Sequence, residues 1–367
     1  MITVRGVDIR VGAHLLLSDL SFHVSPGDRV GLVGRNGAGK TTLLKTLAGE
    51  ERPAAGSINV SGSIGYLPQD PRAADPAVTV TARILSARGL DVAVRKLRQA
   101  EAAMSSAVGD AQERAMAAYA RAEAEFQAGG GYAAEAEAAR LAAGVGLPNR
   151  ALEQPVGELS GGQRRRVELA RILFAQHDTL LLDEPTNHLD ADSVLWLRSF
   201  LLGYPGGLIV ISHDRELLKA TVNRVFHLDP QRTTIDLHNT GWTKYLEQLE
   251  TDERRRTRER HTAERKASVL HAQAAKMQAG ANTAVAARNM ARRADKMLAD
   301  LEPVRRAARV ARIRLPEPAP SGKTPLSAFA LKKAYGGLQV LNGVDLAVDR
   351  GSRVVILGLN GAGKTTL

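Results

Sequence analysis

Residues 34–43 have the sequence GRNGAGKTTL, and residues 358–367 repeat it as GLNGAGKTTL. Both copies match the pattern G-x-x-x-x-G-K-[ST], in which glycines let backbone N–H groups surround phosphate oxygens at the start of a helix. In the first copy the apolar stretch Val30–Val33 precedes the loop, and leucines at helical spacing follow it. This strand–loop–helix context favours a phosphate-binding loop (P-loop) over a simple glycine turn.

Each loop position has an expected role in nucleotide binding. Lys40 is expected to reach the β- and γ-phosphates, and the Thr41 hydroxyl to bind Mg²⁺. The nucleotide-binding residues predicted in the first copy are Gly34, Asn36, Gly37, Ala38, Gly39, Lys40, Thr41 and Thr42. Those predicted in the second copy are Gly358, Asn360, Gly361, Ala362, Gly363, Lys364, Thr365 and Thr366, with Thr365 as its metal ligand.

The repeat extends upstream of the loops at a constant spacing. Lys40 and Lys364 are 324 positions apart (364 − 40 = 324), and Gly27 and Gly351 have the same spacing. Residues 15–33 and 339–357 share a pattern of two short strands joined by a turn at these glycines. An internal duplication therefore explains the two loops better than chance does.

Composition narrows the class of protein. At 367 residues the chain is long enough for two domains. It has no cysteine, which excludes disulfides and thiolate metal sites and agrees with a reducing cytoplasm. No apolar stretch approaches the ~20 residues of a membrane span, and Met1–Arg5 is not typical of a signal peptide. The most apolar region, Leu195–Ile211, is interrupted at Gly203–Gly207 and predicts a helix, a turn and a buried strand.

Polar motifs follow several predicted apolar strands of the first half. Gln69 ends one strand, Asp183 and Glu184 end another, and His213 follows a third. Asp183 suits Mg²⁺ binding through water, and Glu184 suits polarising an attacking water. Ser160 is a natural N-cap for a helix that opens with Gly161, Gly162 and Gln163. Each motif alone is commonly structural, but together they predict one site at the carboxyl edge of a parallel sheet.

These motifs resemble those of the ATP-binding cassette family. Gly34–Thr41 matches its Walker A loop, Gln69 its Q-loop, Leu159–Gln163 its signature, Leu180–Glu184 its Walker B strand, Asn187–Asp190 its D-loop and His213 its switch histidine. The resemblance implies an α/β P-loop NTPase fold in which two cassettes close head to tail over two ATP molecules. Each ATP lies between the Walker A loop of one cassette and the signature of the other.

The resemblance also assigns roles to residues of this chain. The catalytic residues it implies are Glu184, His213 and Gln69. The implied Mg²⁺ ligands are Thr41, Gln69, Asp183 and, in the second copy, Thr365. ATP-binding roles extend to the signature and D-loop through Ser160, Gly161, Gly162, Gln163 and Asp190.

One position departs from the family pattern. The family places an aromatic residue upstream of Walker A to stack on adenine, and Tyr335 fits that position in the second copy. At the same spacing the first copy has Val11. Since stacking on a base contributes about 1–3 kcal/mol, we expect weaker or less base-selective binding at the first site.

Two segments lie outside the nucleotide-binding motifs. Within residues 71–157, Asp91–Ser106 and Ala111–Ala128 predict a helical hairpin, and a third helix is expected to run to about Ala143. This segment is either the helical subdomain that cassettes carry here or that subdomain lengthened by a projecting arm. Residues 242–316 predict two long helices separated by a break at Ala279–Thr283.

The second of these segments is strongly basic. Residues 250–314 contain 17 Lys and Arg but 8 Asp and Glu, a net charge of +9 (17 − 8) against +11 for the whole chain. No Phe, Trp or Tyr lies between Tyr245 and Phe329, so this segment has no aromatic side chains on which single-stranded bases could stack. A folded RNA contacted through its phosphates is the favoured partner, and a solvated helical linker is the alternative.

Two loops, no membrane stretch, the sequence EPTNHLD in residues 184–190 and a charged linker resemble the ABC-F family. That resemblance implies a cytoplasmic ATPase whose linker enters the ribosome near rRNA and the peptidyl tRNA. Some members are translation factors and others confer antibiotic resistance. The alternative is the nucleotide-binding subunit of a membrane transporter.

The expected organisation is a first cassette in residues 1–241, a basic helical linker in 242–316 and the start of a second cassette in 325–367. No second Q-loop, signature, Walker B strand or switch histidine follows the second loop. We therefore expect a partial second cassette that is poorly self-supporting beyond about Pro320. A complete ATP sandwich then needs the remaining sequence or the pairing of two first cassettes.

Overall fold

The computed structural model describes residues 1–69, 75–106, 109–128, 130–230, 232–277, 284–299, 322–358 and 362–367. The chain divides into two compact units, Met1–Trp242 and Thr243–Leu367. Among the described helices, none is long and apolar enough to cross a membrane.

The described residues of the first unit form nine strands. They are β1 (Ile2–Val11), β2 (His14–Val24), β3 (Arg29–Gly34), β4 (Ala55–Val60), β5 (Ile64–Leu67), β6 (Thr179–Asp183), β7 (Gly207–Ile211), β8 (Arg224–Asp229) and β9 (Thr234–His238). Its helices are α1 (Lys40–Leu47), α2 (Val80–Leu85), α3 (Leu90–Ser106), α4 (Asp110–Ala128), α5 (Gly131–Gly144), α6 (Gly161–Phe174), α7 (Ala191–Leu202) and α8 (Arg215–Thr221).

A six-stranded sheet with the order β5-β6-β7-β3-β8-β9 forms the centre of this unit. Its strands are parallel except for β9, which runs antiparallel to β8. Strand β3 lies between β7 and β8, where Arg29 pairs with Leu208 and Val30 with Arg224. The carboxyl ends of β3, β5, β6 and β7 therefore meet at one edge of the sheet, as the motif positions predict.

A three-stranded antiparallel sheet with the order β2-β1-β4 packs over the larger one. In β1 the buried side chains are those of Ile2, Val4, Val7 and Ile9, and their alternation shifts by one residue at the irregularity between Val4 and Val7. The ring of Phe22 meets that of Phe226 edge to face, with centroids 5.0 Å apart. The main apolar core thus lies between the two sheets, around helix α1.

Helices α3 and α4 form the predicted hairpin. Their bounds, Leu90–Ser106 and Asp110–Ala128, agree with the expected ones to within one residue. Lys96 Nζ lies 2.9 Å from Glu125 Oε1, so the two helices run antiparallel. The third predicted helix is α5, and the apolar stretch Leu195–Ile211 forms the end of α7, a turn and β7, as predicted.

The second unit contains α10 (Ala284–Ala299), β10 (Leu326–Tyr335), β11 (Leu338–Val348) and all of α9 (Trp242–Met277) except its first residue. The predicted break at Ala279–Thr283, and the part of the linker beyond Ala299, lie outside the described residues. His271 Nε2 is 3.3 Å from Asp295 Oδ1, a contact that joins α9 to α10. Buried alanines on both helices, among them Ala267 and Ala294, accompany this contact.

The hairpin β10–β11 reproduces β1–β2 at the spacing of the sequence repeat. Leu326 pairs with Val348 where Ile2 pairs with Val24, and Tyr335 pairs with Leu338 where Val11 pairs with His14. The internal duplication is thus present in the register of the strands as well as in the sequence.

The two copies differ at the strand that leads into the P-loop. In the first copy this strand is β3, where Val30 and Leu32 are 0% and 1% exposed. In the second copy, residues 352–358 form no regular element, and the corresponding Val354 and Ile356 are 51% and 47% exposed. In the part of the second unit that the structure describes, residues 352–358 therefore do not pair as a strand, whereas β3 does.

Candidate functional site

The first P-loop connects β3 to α1. Gly37 and Gly39 have left-handed φ angles of 79° and 90°, which favour glycine and turn the backbone N–H groups inward. Lys40 Nζ donates to the carbonyl oxygens of Gly34, at 2.9 Å, and Arg35, at 3.1 Å. Burial lowers the pKa of Lys40, although Glu184 and Asp183 oppose the shift. The loop thus holds a cation where a phosphate chain would lie.

A cavity of about 400 Å³ opens beside this loop. It brings together the predicted residues Asn36, Gly37, Gly39, Lys40, Thr41, Thr42, Gln69, Asp183, Glu184 and His213. Gly34 and Ala38 belong to the same loop. Residues from the ends of β3, β5, β6 and β7 therefore converge, as the sequence predicts.

The cavity is also lined by Leu16 and Ile211, which belong to none of the predicted motifs. The side chain of Leu16 lies 3.3 Å from the position that a Cβ atom of Gly39 would occupy. Val340, at the repeat spacing from Leu16, lies against Gly363 in the same way. The repeat itself could have identified Leu16, since both copies place an aliphatic residue there.

Asp183 and Glu184 form a buried acidic pair, 2% and 7% exposed, at the end of β6. Thr41 Oγ1 donates to Asp183 Oδ2 at 2.7 Å. Burial raises the pKa of Asp183, and the bond from Thr41 and the charges of Arg165 and Lys40 oppose it. Burial also raises the pKa of Glu184, while His213 opposes the shift.

His213 contacts Glu184 through both its ring and its backbone. His213 Nε2 lies 3.3 Å from Glu184 Oε1, and the His213 backbone N–H donates to Oε2 at 3.3 Å. The imidazole is mostly exposed, so it faces the cavity from its open side. This arrangement restrains the carboxylate that the sequence predicts to polarise an attacking water.

The oxygen atoms at this edge fit Mg²⁺. The Thr41 hydroxyl and the Asp183 carboxylate are already in hydrogen-bond contact, and the Gln69 amide lines the same cavity. Hard oxygen donors with few protein carboxylates suit a Mg²⁺ ion that is also bound by substrate phosphates. In the described part of the chain, no cluster of three or more His, Cys, Asp or Glu residues could hold a metal by itself.

The signature residues lie apart from this cavity. Ser160 Oγ accepts from Gln163 N at 3.3 Å, and Ser160 N donates to Gln163 Oε1 at 3.0 Å, forming a capping box at the start of α6. Gly161 and Gly162 follow in the first turn, with the ring of His188 beside Gly162. Asp190 caps α7 by accepting from Ser193 N at 3.0 Å. A nucleotide role for these residues therefore requires a facing cassette.

The second P-loop keeps part of the geometry of the first. Lys364 Nζ donates to Gly358 O at 2.7 Å, as Lys40 does to Gly34. Residues 362–367, which include Ala362, Gly363, Thr365 and Thr366, form bends and turns. Tyr335 is 58% exposed at the end of β10, and Asn360 and Gly361 lie outside the described residues.

Comparison with known proteins agrees with this geometry. The ABC transporter family matches residues 17–187, a span from β2 to the D-loop. The tylosin resistance ATP-binding protein TlrC of Streptomyces fradiae is 39% identical over 70% of this chain and 47% of that protein. The energy-dependent translational throttle protein EttA of Haemophilus influenzae is 32% identical over 96% of this chain and 62% of that protein.

The chain is similar to ATP-binding proteins of the ABC-F family over most of its length. The probable ATP-binding protein YheS of Escherichia coli K12 is 33% identical over the whole of this chain, and the match covers 56% of the YheS sequence. The chain thus spans about half to three fifths of these relatives. Among solved structures, the ATP-binding subunit of an ABC transporter has a TM-score of 0.49 at 20% identity, over 65% of this chain and 90% of that one.

The Val11 position gives a direct test of base stacking. Val11 is 55% exposed at the end of β1 and does not line the cavity. We expect Val11→Tyr to tighten ATP binding about fivefold, about 1 kcal/mol, and to widen the preference for ATP over GTP. Titration with fluorescent nucleotides measures both, with Val11→Leu as the control for side-chain size. Unchanged affinity and unchanged base preference in Val11→Tyr would contradict the stacking hypothesis.

Proposed function

We propose that this protein is a Mg²⁺-dependent ATPase whose cassettes close on ATP and which acts on the ribosome in the cytoplasm. The observation that carries the ATPase proposal is the convergence of Lys40, Thr41, Asp183, Glu184 and His213 on one cavity. The ribosomal target is supported by the basic helices and by relatives named for tylosin resistance and for a translational throttle.

Nucleotide binding follows from the loop geometry. The backbone N–H groups of residues 36–41 and the dipole of α1 stabilise the phosphates, and the Lys40 ammonium exchanges its two carbonyl partners for phosphate oxygens. The Thr41 hydroxyl and Asp183, with Gln69, would hold Mg²⁺, which neutralises charge that develops on the β- and γ-phosphate oxygens. Leu16 and Ile211 limit the space beside the loop.

Hydrolysis follows from the placement of Glu184. Its carboxylate accepts a hydrogen bond from the attacking water and takes a proton from it as the water oxygen bonds to the γ-phosphorus. The bond from the γ-phosphorus to the bridging oxygen breaks, and that oxygen leaves with ADP. The raised pKa of Glu184 improves its match to that task at neutral pH. His213 holds the carboxylate in place from the open side of the cavity.

The same chemistry provides a switch. ATP bound to Lys40 would be covered by the signature of a facing cassette. In this cassette the signature residues Ser160, Gly161 and Gly162 start α6, where backbone N–H groups can bind phosphate. Hydrolysis places negative charge on both sides of the broken bond, which weakens the closed state. ATP then controls the position of the linker.

The helices α9 and α10 supply the proposed RNA contact. Several arginines of α9 are exposed but paired one turn away, as in Arg254 with Glu250 and Arg260 with Glu264. Helix α10 is less balanced, since Arg288, Arg292, Arg293 and Lys296 are exposed beside a single carboxylate, Asp295. Such a helix favours contact with RNA phosphates by charge and shape. We propose rRNA and the peptidyl tRNA as the targets.

Ribosome co-sedimentation tests this function. We expect Glu184→Gln with ATP to pellet with ribosomes, and ADP to release it. In that background, replacing Arg292, Arg293 and Lys296 by alanine should weaken binding about tenfold or more and reduce its salt dependence. The matched control replaces three exposed basic residues of the first unit, Arg52, Arg150 and Lys219. Failure to pellet, with recovery in membrane fractions, would instead favour a transporter subunit.

A further inference from the structure

Arg165 is a buried cation that the proposed mechanism does not use. It lies on α6, two positions after Gln163, and is 5% exposed. Its Nη2 donates to the backbone carbonyl oxygens of Asp183, at 2.7 Å, and Glu184, at 3.0 Å. One guanidinium nitrogen therefore bridges the end of β6 and the residue that follows it.

Glu184 has a backbone conformation that needs support. Its φ angle is 50°, in the left-handed region, which for a residue with a long side chain has a free-energy cost of order 1–3 kcal/mol. The backbone N–H of Glu184 donates to Ile211 O at 2.9 Å, which ties Glu184 to the end of β7. Its carbonyl oxygen accepts from Arg165 and from Asn187 N, at 3.2 Å. Arg165 is thus the side chain that holds this peptide from α6.

We propose that Arg165 is a positioning residue that keeps Glu184 in its left-handed conformation and couples the signature helix to the carboxylate of the same cassette. This inference rests on the proposed function and extends it to regulation. Ser160 and Gly161, at the start of α6, would contact ATP held by a facing cassette. Any shift of α6 on engaging that ATP reaches Glu184 through Arg165. One nucleotide site thereby controls hydrolysis at the other.

The charge and shape of arginine suit this task. Arg165 is buried next to Asp183 and Glu184, so it supplies positive charge where water is excluded. A guanidinium is planar, permanently charged and more weakly hydrated than an ammonium group. Lysine keeps the charge but lacks the planar fork, and methionine keeps much of the volume but neither property.

Steady-state kinetics of the 367-residue chain provide the first test. We expect Arg165→Lys and Arg165→Met to lower kcat for ATP by about 10-fold and 100-fold, with less than about a threefold change in KM. In the Glu184→Gln background, Arg165→Lys should change the residual rate by less than about threefold. Arg164→Met, at the exposed neighbouring position, is the matched control. Equal losses in both backgrounds, or losses confined to KM, would overturn the proposal.

A second test requires no turnover. Glycine adopts a left-handed φ without strain, so a chain with Glu184→Gly needs no support at this peptide. We expect Arg165→Met to lower the apo thermal midpoint at least twice as much in the wild-type background as in Glu184→Gly. Equal shifts would overturn the positioning role. Absence of ATPase activity in the wild-type chain would instead overturn the proposed function, and the midpoints would still decide the role of Arg165.

Discussion

Replacing Glu184 by glutamine is expected to lower the rate of ATP hydrolysis by at least about 100-fold while changing ATP affinity by less than about threefold. Glutamine keeps the size of the side chain and can accept the bond from the His213 backbone N–H, but it cannot take a proton from water. Phosphate release at saturating ATP, together with fluorescent-nucleotide titration, separates the two quantities. The control is Glu113→Gln, an exposed glutamate on α4 far from the cavity.

The same substitution should also stabilise the nucleotide-free protein at neutral pH. Burial raises the pKa of Glu184 in the folded state, so the folded state binds this proton more tightly than the unfolded state does. Stability from this group is therefore full below the unfolded pKa and falls as pH rises through the folded pKa. A neutral glutamine removes that loss, and the thermal midpoint at pH 7.5 should rise.

Unchanged turnover in Glu184→Gln would show that another group activates water.

Replacing Lys40 by alanine is expected to weaken ATP binding about 100-fold, or about 3 kcal/mol. The ammonium is half-buried and held by the carbonyl oxygens of Gly34 and Arg35, at the place where the phosphates enter. Without the ammonium group, the negative phosphates would be repelled by the negative carboxylates of Asp183 and Glu184 in the same site. Isothermal titration with a non-hydrolysable ATP analogue and Mg²⁺ measures the loss.

Lys364 provides the internal control for Lys40. It occupies the same position in a motif that differs only at its second residue, and it donates to Gly358 O at 2.7 Å as Lys40 does to Gly34 O. The strand that supports the first loop has no counterpart in residues 352–358, so we expect Lys364→Ala to change ATP affinity by less than about twofold in this chain. An equal loss in both variants would show that the second loop binds ATP here without a supporting sheet.

Most of the site could be predicted from the sequence because its residues belong to short motifs at the ends of apolar strands. One cavity contains the P-loop, Gln69, Asp183, Glu184 and His213, because the carboxyl ends of parallel strands lie at the same edge of the sheet. Helix bounds in the hairpin α3–α4 also agreed, since turn residues separate two segments with high helix propensity.

Other features depend on tertiary packing that no local pattern contains. The role of Leu16 follows from its distance to Gly39, and that of Arg165 from a contact between α6 and the end of β6. The left-handed conformation of Glu184 was also not predicted, because glutamate has no preference for that region. The three-stranded sheet β2-β1-β4 was not predicted, because β4 pairs with β1 across the intervening β2, β3 and α1.

The position of β3 in its sheet has a consequence for biosynthesis. The P-loop strand is made early, but its hydrogen-bonding neighbours are β7, which begins at Gly207, and β8, which begins at Arg224. The strands β1, β2 and β4 can pair soon after they leave the ribosome, whereas β3 has to wait for most of the first unit to be synthesised. A nascent chain that ends before Asp229 therefore presents a complete Walker A sequence without the rigid sheet that shapes it. Competence to bind ATP is then one of the last properties that the growing first cassette acquires.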